Sequence, residues 1–343
     1  MKILVTGATG FVGSVLLPQL LDAHGEAAVT AFILPDEPLP PSLQNLPLRI
    51  VRGDITDAHA VEAAVVGHTH VVHLAGFISY WKRHRDRLFA VNVGGVENVI
   101  AACRNAGVER LVHISSVGAV GFQRNGVPAD ETVPFNWPRD FYYMTSKYEG
   151  QRRVEAAADD GLPAVILNPA SIMGPGDPQP RTPHNLLYRR IYSTVLSGSF
   201  SGGLAVVDVR DLASIIGKAL ERGDRGERYL VVGANLTYRD VIRTIAEEAG
   251  RPAHPFPIPA PLFSFAGRIM EWVSALTRRP PLLTHAYGRL SGWKTYYDNR
   301  KSREAFAHEY IDFRTTVADS CRYFERRFLY RPESTGTAPA SSP

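Results

Sequence analysis

The feature that most constrains the fold of this chain is a glycine-rich turn close to its N-terminus. The turn reads TGATGFVG over residues 6–13; it closes the apolar run that begins at Ile3 and opens a helical pattern. Glycines at such a turn allow a tight bend, close approach of the backbone to a phosphate, and close packing of helix on strand. The helix N-terminus also presents free N–H groups that suit a pyrophosphate. The motif therefore predicts a dinucleotide site at Gly7, Thr9, Gly10, Phe11, Val12 and Gly13.

Strand and helix patterns alternate over the first 170 residues. Short apolar, β-branched runs predict strands at 3–6, 29–34, 48–51, 70–74, 111–115 and 164–167. Between them, amphipathic stretches predict helices near 11–23, 57–66, 86–106 and 141–159. Such alternation predicts an α/β fold of the Rossmann type, a doubly wound parallel sheet with helices on both faces.

The pattern changes after residue 170. Residues 174–203 are rich in Gly, Pro and Ser and predict loops over a site, whereas 204–233 resumes the alternation. We therefore predict a dinucleotide-binding domain over 1–170, to which 204–233 returns. The remaining segments, 171–203 and 234–330, predict a smaller, mostly helical substrate-binding region, and 331–343 predicts a disordered tail.

Composition excludes several classes of function. The 38 basic and 34 acidic residues give a net charge of +4, which is too slight over this length to indicate binding of nucleic acid. The basic cluster 82–85 (KRHR) is interpreted as a solvated helix face. Apolar runs are too short to predict a membrane span. Cys103 and Cys321 each fall on an apolar stripe and predict inert core residues.

Two further expectations concern location and metals. The first strand begins too early to leave room for a signal peptide, so the cytoplasm is the expected location. His68, His70 and His73 cluster in sequence, but strand alternation sends the last two to opposite faces, and no Cys, Asp or Glu completes a site. We predict no metal.

Further motifs resemble one superfamily. The G-x-x-G-x-x-G spacing of the turn resembles the short-chain dehydrogenases/reductases, and other motifs of that superfamily follow in the right order over 1–330. They are 53–55 (GDI), 74–76 (LAG), 91–95 (VNVGG), 115–116 (SS), 143–147 (YMTSK) and 168–177 (NPASIMGPGD). The last resembles the extended branch, the NAD-dependent epimerase/dehydratase family. The pattern is most similar to its dihydroflavonol reductase-like and 3β-hydroxysteroid dehydrogenase-like members.

The resemblance implies functional residues. Ser116, Tyr143 and Lys147 would be catalytic, and Lys147 would also hold the nicotinamide ribose. Besides the glycine turn, the implied cofactor contacts are Asp54, Ile55, Leu74, Ala75, Gly76, Asn92, Tyr143, Lys147, Pro169 and Ser171.

The chemistry of the pair Tyr143 and Lys147 also follows from their spacing. Four residues apart on a helix, they share one face. A neighbouring ammonium lowers the pKa of a tyrosine, which is otherwise near 10. Tyr143 could then donate a proton to a forming alkoxide, or remove it in the reverse direction. Ser116 would bind the substrate oxygen, with Ser115 as the competing choice.

The choice between NAD and NADP rests on the end of the second strand. An acid there favours NAD and an arginine favours NADP, but this chain has Leu34, followed by Pro35, Asp36 and Glu37. The two acids favour NAD if they turn inward, and an ordinary solvated loop is the alternative.

The substrate is expected to be a hydrophobic carbonyl compound. Phe77, Trp81, Phe122 and Trp137 predict an aromatic pocket lining, although such residues also pack cores. The sugar-nucleotide branch usually carries Arg-Asp where this chain has Leu204-Ala205, which disfavours a strongly anionic substrate. A ketone or aldehyde reductase is therefore favoured over a nucleotide-sugar epimerase or dehydratase. A catalytically idle cofactor-binding regulator is a third class, disfavoured because Tyr143 and Lys147 are both present; a homodimer stays open.

The segment 262–276 has apolar residues at helical spacing. Three structures would satisfy this pattern: a lid over the substrate pocket, a helix packed in the core, or an amphipathic helix on a membrane surface. The sparse Lys and Arg content within the segment disfavours the membrane, and we expect the lid.

Overall fold

The structure is a computed structural model that describes residues 1–124, 126–179, 182–193, 196–281 and 283–329. The predicted tail at 331–343 lies outside these residues. Within them, the strands are β1 (Ile3–Thr6), β2 (Val29–Ile33), β3 (Arg49–Arg52), β4 (His70–His73), β5 (Arg110–Ile114), β6 (Ala164–Pro169), β7 (Ser171–Met173), β8 (Leu196–Phe200), β9 (Gly203–Asp208), β10 (Arg228–Val231), β11 (Ala234–Thr237), β12 (Ala253–Ile258) and β13 (Lys294–Thr295).

The α-helices of the same ranges are α1 (Phe11–His24), α2 (Ala58–Val65), α3 (Arg85–Phe89), α4 (Gly95–Ala106), α5 (Tyr142–Asp159), α6 (Pro183–Ser193), α7 (Val209–Ala219), α8 (Tyr238–Glu248), α9 (Ala260–Thr277), α10 (His285–Leu290), α11 (Arg300–Phe306) and α12 (Phe313–Phe324). A π-helical segment, Ala90–Gly94, joins α3 to α4. None of the helices in the described ranges combines the length and apolar character needed to cross a membrane.

The central sheet is the predicted doubly wound parallel sheet. Its strand order is β10-β6-β5-β4-β1-β2-β3, and every neighbouring pair is parallel. In β1, Ile3 and Val5 join the core on one face and Leu4 joins the core on the other. Helices α1 and α7 pack together, as do α2, α4 and α5. Burial on both faces explains why inner strands such as β1 and β2 are continuous apolar runs.

Local capping fixes several helix starts. Thr237 caps α8 by accepting a hydrogen bond from the Asp240 N–H at 3.1 Å, and Gly250 follows the helix with φ of +60°. Asp208 caps α7 through the Arg210 N–H at 2.8 Å. Each cap satisfies a backbone donor that the helix itself leaves free.

The segment 174–203 differs from its prediction. It contains helix α6 and strand β8 rather than loops alone. The glycines and prolines that suggested loops are concentrated before 181 and after 197, while 183–193 carries an amphipathic pattern with buried Tyr188 and Ile191. The many Gly, Pro and Ser residues at both ends of the segment therefore concealed helix α6 from a prediction based on composition.

The return segment 204–233 is divided between two sheets. Strand β10 completes the central sheet beside β6, whereas β9 pairs with β7, β11 and β13 in a second, smaller sheet. Strands β8 and β12 form a third, two-stranded sheet. The division into domains proposed from the sequence stays a prediction.

Helix α9 covers the segment 262–276, and one of its apolar faces points to solvent. Phe265, Trp272 and Leu276 are 67%, 68% and 69% exposed, so packing of this face in the core is the wrong interpretation. Phe263, on the inner side, meets Phe200 with ring centroids 4.6 Å apart. Phe265 therefore points away from the protein and from any pocket that the helix covers.

Candidate active site

The glycine turn joins the carboxyl end of β1 to the start of α1. Gly7 has φ of +65°, and a Cβ there would lie 2.7 Å from the Ala75 nitrogen, so only glycine fits. A Cβ at Gly13 would lie 2.2 Å from the Ala8 carbonyl oxygen. The turn thus brings the residues after β1 directly against those after β4.

The first turn of α1 has the donors that a phosphate needs. Gly10 is the N-cap and offers no capping side chain, so among the described residues no side chain caps this helix. Ser14 is the first residue whose N–H bonds back along the helix, to the Gly10 oxygen at 2.9 Å. The N–H groups of Phe11, Val12 and Gly13 are therefore left for a ligand, which fits the pyrophosphate of a dinucleotide.

The strand order places this turn at a crevice. Strand β1 lies between β2 and β4, so the sheet is extended from β1 in both directions, first to β2 and later to β4. Ligands of open α/β sheets bind in the crevice that forms where the strand order reverses in this way. Leu74, Ala75 and Gly76 follow β4 at the same edge, and the Ala75 N–H donates to Thr6 Oγ1 at 3.2 Å. The predicted cofactor residues 74–76 thus adjoin the glycine turn.

Asp54 and Ile55, two of the predicted cofactor residues, directly follow β3. The Asp54 carboxylate is exposed and accepts hydrogen bonds from Thr56 N and Oγ1, at 2.9 and 2.8 Å. Ile55 is buried against α2 and α4 in the core. Pro169 ends β6 in the interior, whereas Ser171 begins β7 with an exposed side chain.

Asn92 lies in the π-helical segment and is almost fully buried. Its side chain accepts from the Phe77 N–H at 2.8 Å and donates to the Phe77 oxygen at 2.9 Å. It also donates to Ser146 Oγ at 2.9 Å. Asn92 therefore fixes the loop after β4 to helix α5, which carries the predicted catalytic pair.

Ser116, Tyr143 and Lys147 meet at this edge of the sheet. Ser116 Oγ accepts from the Gly118 N–H at 3.0 Å, and a Cβ built on Gly118 would lie 3.3 Å from that oxygen and 3.9 Å from Tyr143 Cε1. Lys147 Nζ donates to the Ile114 carbonyl oxygen at 2.9 Å. A Cβ built on Gly76 would lie 3.9 Å from that Nζ, so the ammonium sits beneath the exposed Gly76. The alternative, Ser115, is buried and its hydroxyl has no partner among the described residues.

The titration behaviour of this pair differs from the prediction. Burial raises the pKa of Tyr143 above its ordinary value, and the neighbouring Ser116 hydroxyl opposes that rise. Burial lowers the pKa of Lys147 to about 8. The expected lowering of the tyrosine pKa by the lysine is not found, because the ammonium is directed at the Ile114 carbonyl. Tyr143 is therefore a protonated phenol at neutral pH.

Two residues outside the predicted set of site residues support the site. Asn168 Nδ2 donates to the Ser116 carbonyl oxygen and to Gln151 Oε1, both at 2.7 Å. Gln151 lies one helical turn beyond Lys147, on the same face of α5. That spacing, with a buried asparagine at the end of β6, is the signal that could have found them.

The three clustered histidines have separate hydrogen-bond partners. Each bonds to a threonine: His68 to Thr30 at 2.9 Å, His70 to Thr69 at 2.8 Å and His73 to Thr6 at 2.8 Å. Burial lowers the pKa of His73 to about 3. In the described part of the chain, no group of three or more metal-binding side chains comes together.

Two of the predicted pocket residues belong to the core. Phe122 and Trp137 are only 2% and 5% exposed, and both stack in a cluster around Trp293. The Trp137 indole donates to the Val120 oxygen at 2.9 Å, which satisfies its polar atom internally. Their prediction as substrate contacts is corrected to core packing.

Partly exposed aromatic residues lie beside the candidate catalytic tyrosine instead. Tyr80 meets Tyr143 and Tyr287 with ring centroids 5.8 and 5.1 Å apart. Phe200 continues the row, meeting Tyr287 at 5.8 Å and Tyr238 at 5.0 Å. We name these four residues, Tyr80, Tyr287, Phe200 and Tyr238, the aromatic wall. Their separation in the sequence explains why no local pattern reveals the four residues together.

The other two predicted substrate residues lie in the loop that carries Tyr80. Phe77 packs against His84 at 5.4 Å and beneath the Arg87 guanidinium at 4.4 Å. Trp81 also meets His84, at 4.7 Å. Both are partly exposed, on the same loop as the wall residue that contacts Tyr143.

The end of β2 is folded around an arginine. Arg52 Nη1 donates to the carbonyl oxygens of Leu34, Pro35 and Glu37, at 3.2, 2.7 and 3.1 Å. Leu34 is 44% exposed. The guanidinium thus shapes the loop in which an acid or an arginine would select between the two dinucleotides.

Comparison with known proteins agrees with this geometry. The model of the NAD dependent epimerase/dehydratase family matches residues 3–233. A protein of Synechocystis sp. provisionally named dihydroflavonol 4-reductase is 31% identical over 330 residues, 94% of each chain. Sterol demethylase protein B of Methylococcus capsulatus is 32% identical over 342 residues, 95% of this chain and 99% of its own.

Solved structures share the whole architecture. The crystal structure of gox2253 superposes with a TM-score of 0.81 at 28% identity, covering 96% of this chain and 99% of its own. Within the described residues, the parallel seven-stranded sheet, the bare helix N-terminus and the matched family model all agree. The chain belongs to the NAD dependent epimerase/dehydratase family.

Proposed function

We propose that this protein is an NAD(P)-dependent oxidoreductase that reduces a ketone or aldehyde of a hydrophobic small molecule, or oxidises the corresponding alcohol. The observation that carries the proposal is the contact of Tyr143 with the aromatic wall through Tyr80. Tyr143, the candidate proton donor, therefore lies beside the aromatic ring of Tyr80, which offers an apolar surface to a hydrophobic substrate.

A dinucleotide held at this site would supply or accept the hydride. The protein's residues provide the rest of the chemistry. Ser116 orients the substrate oxygen, and Tyr143 donates a proton to that oxygen as negative charge develops on it. A tyrosine whose pKa is raised by burial is protonated at neutral pH, which suits the reducing direction. The side chains of Lys147 and Asn92 lie beneath Gly76 and support the backbone at the base of the site.

The cofactor is proposed to lie along the carboxyl edge of the sheet. The N–H groups at the start of α1 would hold the pyrophosphate, and residues 74–76 would flank the nicotinamide half. Asp54 and Ile55 would lie at the adenine. Because Asp36 and Glu37 adjoin the end of β2, we favour NAD over NADP.

The relatives support a hydrophobic carbonyl substrate. One carries a reductase name and the other a sterol-processing name, and the partly exposed rings of the aromatic wall suit compounds of that kind. Strand β9 carries Leu204-Ala205 where the sugar-nucleotide branch usually carries Arg-Asp, and Ala205 is only 2% exposed. The apolar pair disfavours a nucleotide-sugar epimerase or dehydratase, the second candidate.

The test is oxidation of NADH and NADPH with a panel of hydrophobic aromatic and alicyclic ketones and aldehydes. UDP-glucose is assayed in parallel for epimerisation. We expect turnover of hydrophobic carbonyls, and a loss on the order of 10²–10⁴-fold in kcat for Tyr143→Phe, with cofactor affinity unchanged. Tyr142→Phe is the matched control, because Tyr142 packs against Arg85 at 5.8 Å rather than facing Ser116.

Two outcomes would overturn the proposal. One is conversion of UDP-glucose without any carbonyl reduction. The other is retention by Tyr143→Phe of more than about a third of the wild-type rate, since loss of a general acid costs at least two orders of magnitude.

A further inference from the structure

Helix α9 has an apolar stripe that faces solvent. Its members are 45% to 69% exposed: Leu262, Phe265, Ile269, Trp272, Val273 and Leu276. We name this set the α9 stripe. The spacing follows successive helical turns, so the side chains form one continuous band about 21 Å long. An exposed apolar patch of this extent on a monomer marks an interaction surface.

The stripe lies opposite the side by which the helix packs on the protein. At 100° per residue, Gly267 and Ser274 fall diametrically across from the centre of the stripe. These two are the fully buried residues of the helix. A Cβ at Gly267 would lie 2.5 Å from the Thr284 oxygen, so α9 approaches α10 through backbone. The helix thus packs through small residues and exposes its large apolar ones, the reverse of an ordinary surface helix.

Basic residues collect at the C-terminal end of the stripe. Arg278 and Arg279 follow α9, and Arg83 of the cluster 82–85 donates to the Ala275 oxygen at 3.3 Å. Within the described residues, Lys82, Arg83, Arg278 and Arg279 form no ion pair, whereas the nearby acids are engaged. Asp86 pairs with Arg85 at 3.1 Å, and Glu271 accepts from the His285 N–H at 3.4 Å.

We propose that the α9 stripe binds the surface of an anionic phospholipid bilayer. The stripe enters the headgroup–acyl boundary and the cationic residues Lys82, Arg83, Arg278 and Arg279 contact lipid phosphates. An apolar band of Trp, Phe and Leu next to unpaired cations is the pattern of a helix that lies in that boundary. A protein partner would account for the apolar band but not for the cations beside it. Because these cations form no ion pair within the described residues, they favour an anionic bilayer.

The position of α9 relates the bilayer to the candidate active site. The helix rests on α10, whose Tyr287 belongs to the aromatic wall and contacts Tyr80 at 5.1 Å. Tyr80 in turn contacts Tyr143. The α9 stripe and the aromatic wall therefore lie on opposite sides of a single layer of helices. Docking would place a site for hydrophobic substrates beside the phase in which such compounds dissolve.

The experiment is co-sedimentation of the full chain with vesicles. One set contains equal parts of phosphatidylglycerol and phosphatidylcholine, and the other contains phosphatidylcholine alone. We expect wild-type protein to pellet with the anionic vesicles. The double variant Trp272→Ser/Leu276→Ser should bind them about tenfold more weakly. The double variant Arg278→Gln/Arg279→Gln should lose about tenfold on anionic vesicles and little on neutral ones.

A matched control separates specific docking from general stickiness. Val66 is 65% exposed at the end of α2, so Val66→Ser removes an apolar side chain of similar exposure outside the stripe. It should leave vesicle binding unchanged. Thermal melts and carbonyl turnover with a water-soluble substrate check that each variant is folded; these readouts also keep failure of the reductase assignment distinct from failure of docking.

Three outcomes would overturn the inference. Wild-type protein could remain in the supernatant with anionic vesicles. The serine double variant could pellet as well as wild type. Sedimentation velocity could show a dimer that the serine substitutions dissociate, without vesicle binding; the occupant of the stripe would then be a second copy of the chain.

Discussion

Asn168 holds the carbonyl oxygen of Ser116 at 2.7 Å from its side-chain amide. The same amide bonds to Gln151 at 2.7 Å, so one buried group connects the end of β6, the serine loop and helix α5. The position of the Ser116 hydroxyl therefore depends on a residue that lies outside the proposed catalytic set.

We predict that Asn168→Ala lowers kcat while leaving cofactor affinity unchanged. The loop that carries Ser116 loses its anchor, and two buried acceptors lose their donor. Each unsatisfied group costs about 1–3 kcal/mol in the free energy of unfolding. Stopped-flow or steady-state kinetics give kcat, and dinucleotide binding by fluorescence gives Kd. Asn105→Ala is the control, because Asn105 lies on the surface and bonds to the exposed Glu62. An unchanged kcat in a folded Asn168→Ala protein would refute the positioning role.

A second prediction concerns the buried ammonium of Lys147. Its pKa of about 8 in the folded chain lies below the unfolded value near 10.4. Between these values the unfolded chain binds more protons, so the free energy of unfolding rises with pH. Relative to Lys147→Met, the wild type should gain about 2 kcal/mol between pH 8 and 9.5, since each pKa unit corresponds to 1.36 kcal/mol.

The pH slope, rather than stability at one pH, is the measurement for this prediction. Lys147→Met also leaves the Ile114 carbonyl without its donor, and that cost is independent of pH. Urea unfolding of both proteins across the range isolates the titration. A difference between the two proteins that stays constant with pH would show that Lys147 is not desolvated.

A third prediction addresses the dinucleotide. Leu34→Arg places a guanidinium at the exposed end of β2, where it matches a 2′-phosphate. We expect the ratio of kcat/KM for NADPH over NADH to rise by about tenfold, which is the effect of one charge-assisted contact. Leu34→Gln supplies similar length without the charge. If the ratio does not move, the ribose lies elsewhere, or Arg52 already contacts that phosphate with the rest of its guanidinium.

A fourth prediction separates the aromatic wall from the aromatic core. Tyr80→Ser should raise KM for a hydrophobic carbonyl substrate without changing KM for the dinucleotide. Trp137→Phe should lower the free energy of unfolding by about 1–3 kcal/mol, because the Val120 oxygen loses its buried donor. Its KM should match the wild type. The reverse pattern would place Trp137 at the substrate and return Tyr80 to a packing role.

The sequence predicts the central sheet well because its signals are local. The glycine turn, the apolar strands and the Tyr143–Lys147 spacing each need no more than a few neighbouring residues to be recognised. Strand boundaries shift by one or two residues, as at β2, which ends at Ile33 rather than Leu34. These small shifts leave the predicted carboxyl edge unchanged.

What the sequence missed depends on distant parts of the chain. Periodicity shows that residues 262–276 form a helix, but cannot say that Gly267 and Ser274 face inward, because that choice is made by close contact with α10. Phe122 follows the serine loop and Trp137 precedes Tyr143, as pocket residues would, yet both pack against Trp293 in the core. The aromatic wall gathers residues from four separate elements, and no local window contains them.

Strand β3 forms one free edge of the central sheet. Arg49 and Arg52 stand at its two ends, and both are exposed. A strand edge with unpaired backbone groups is a template for aggregation, and charged side chains along it oppose pairing with another copy. Arg52, which shapes the loop after β2, therefore also opposes pairing of this edge with the sheet of another copy. Replacing Arg49 and Arg52 together with neutral residues would favour fibre-like assembly of the folded protein.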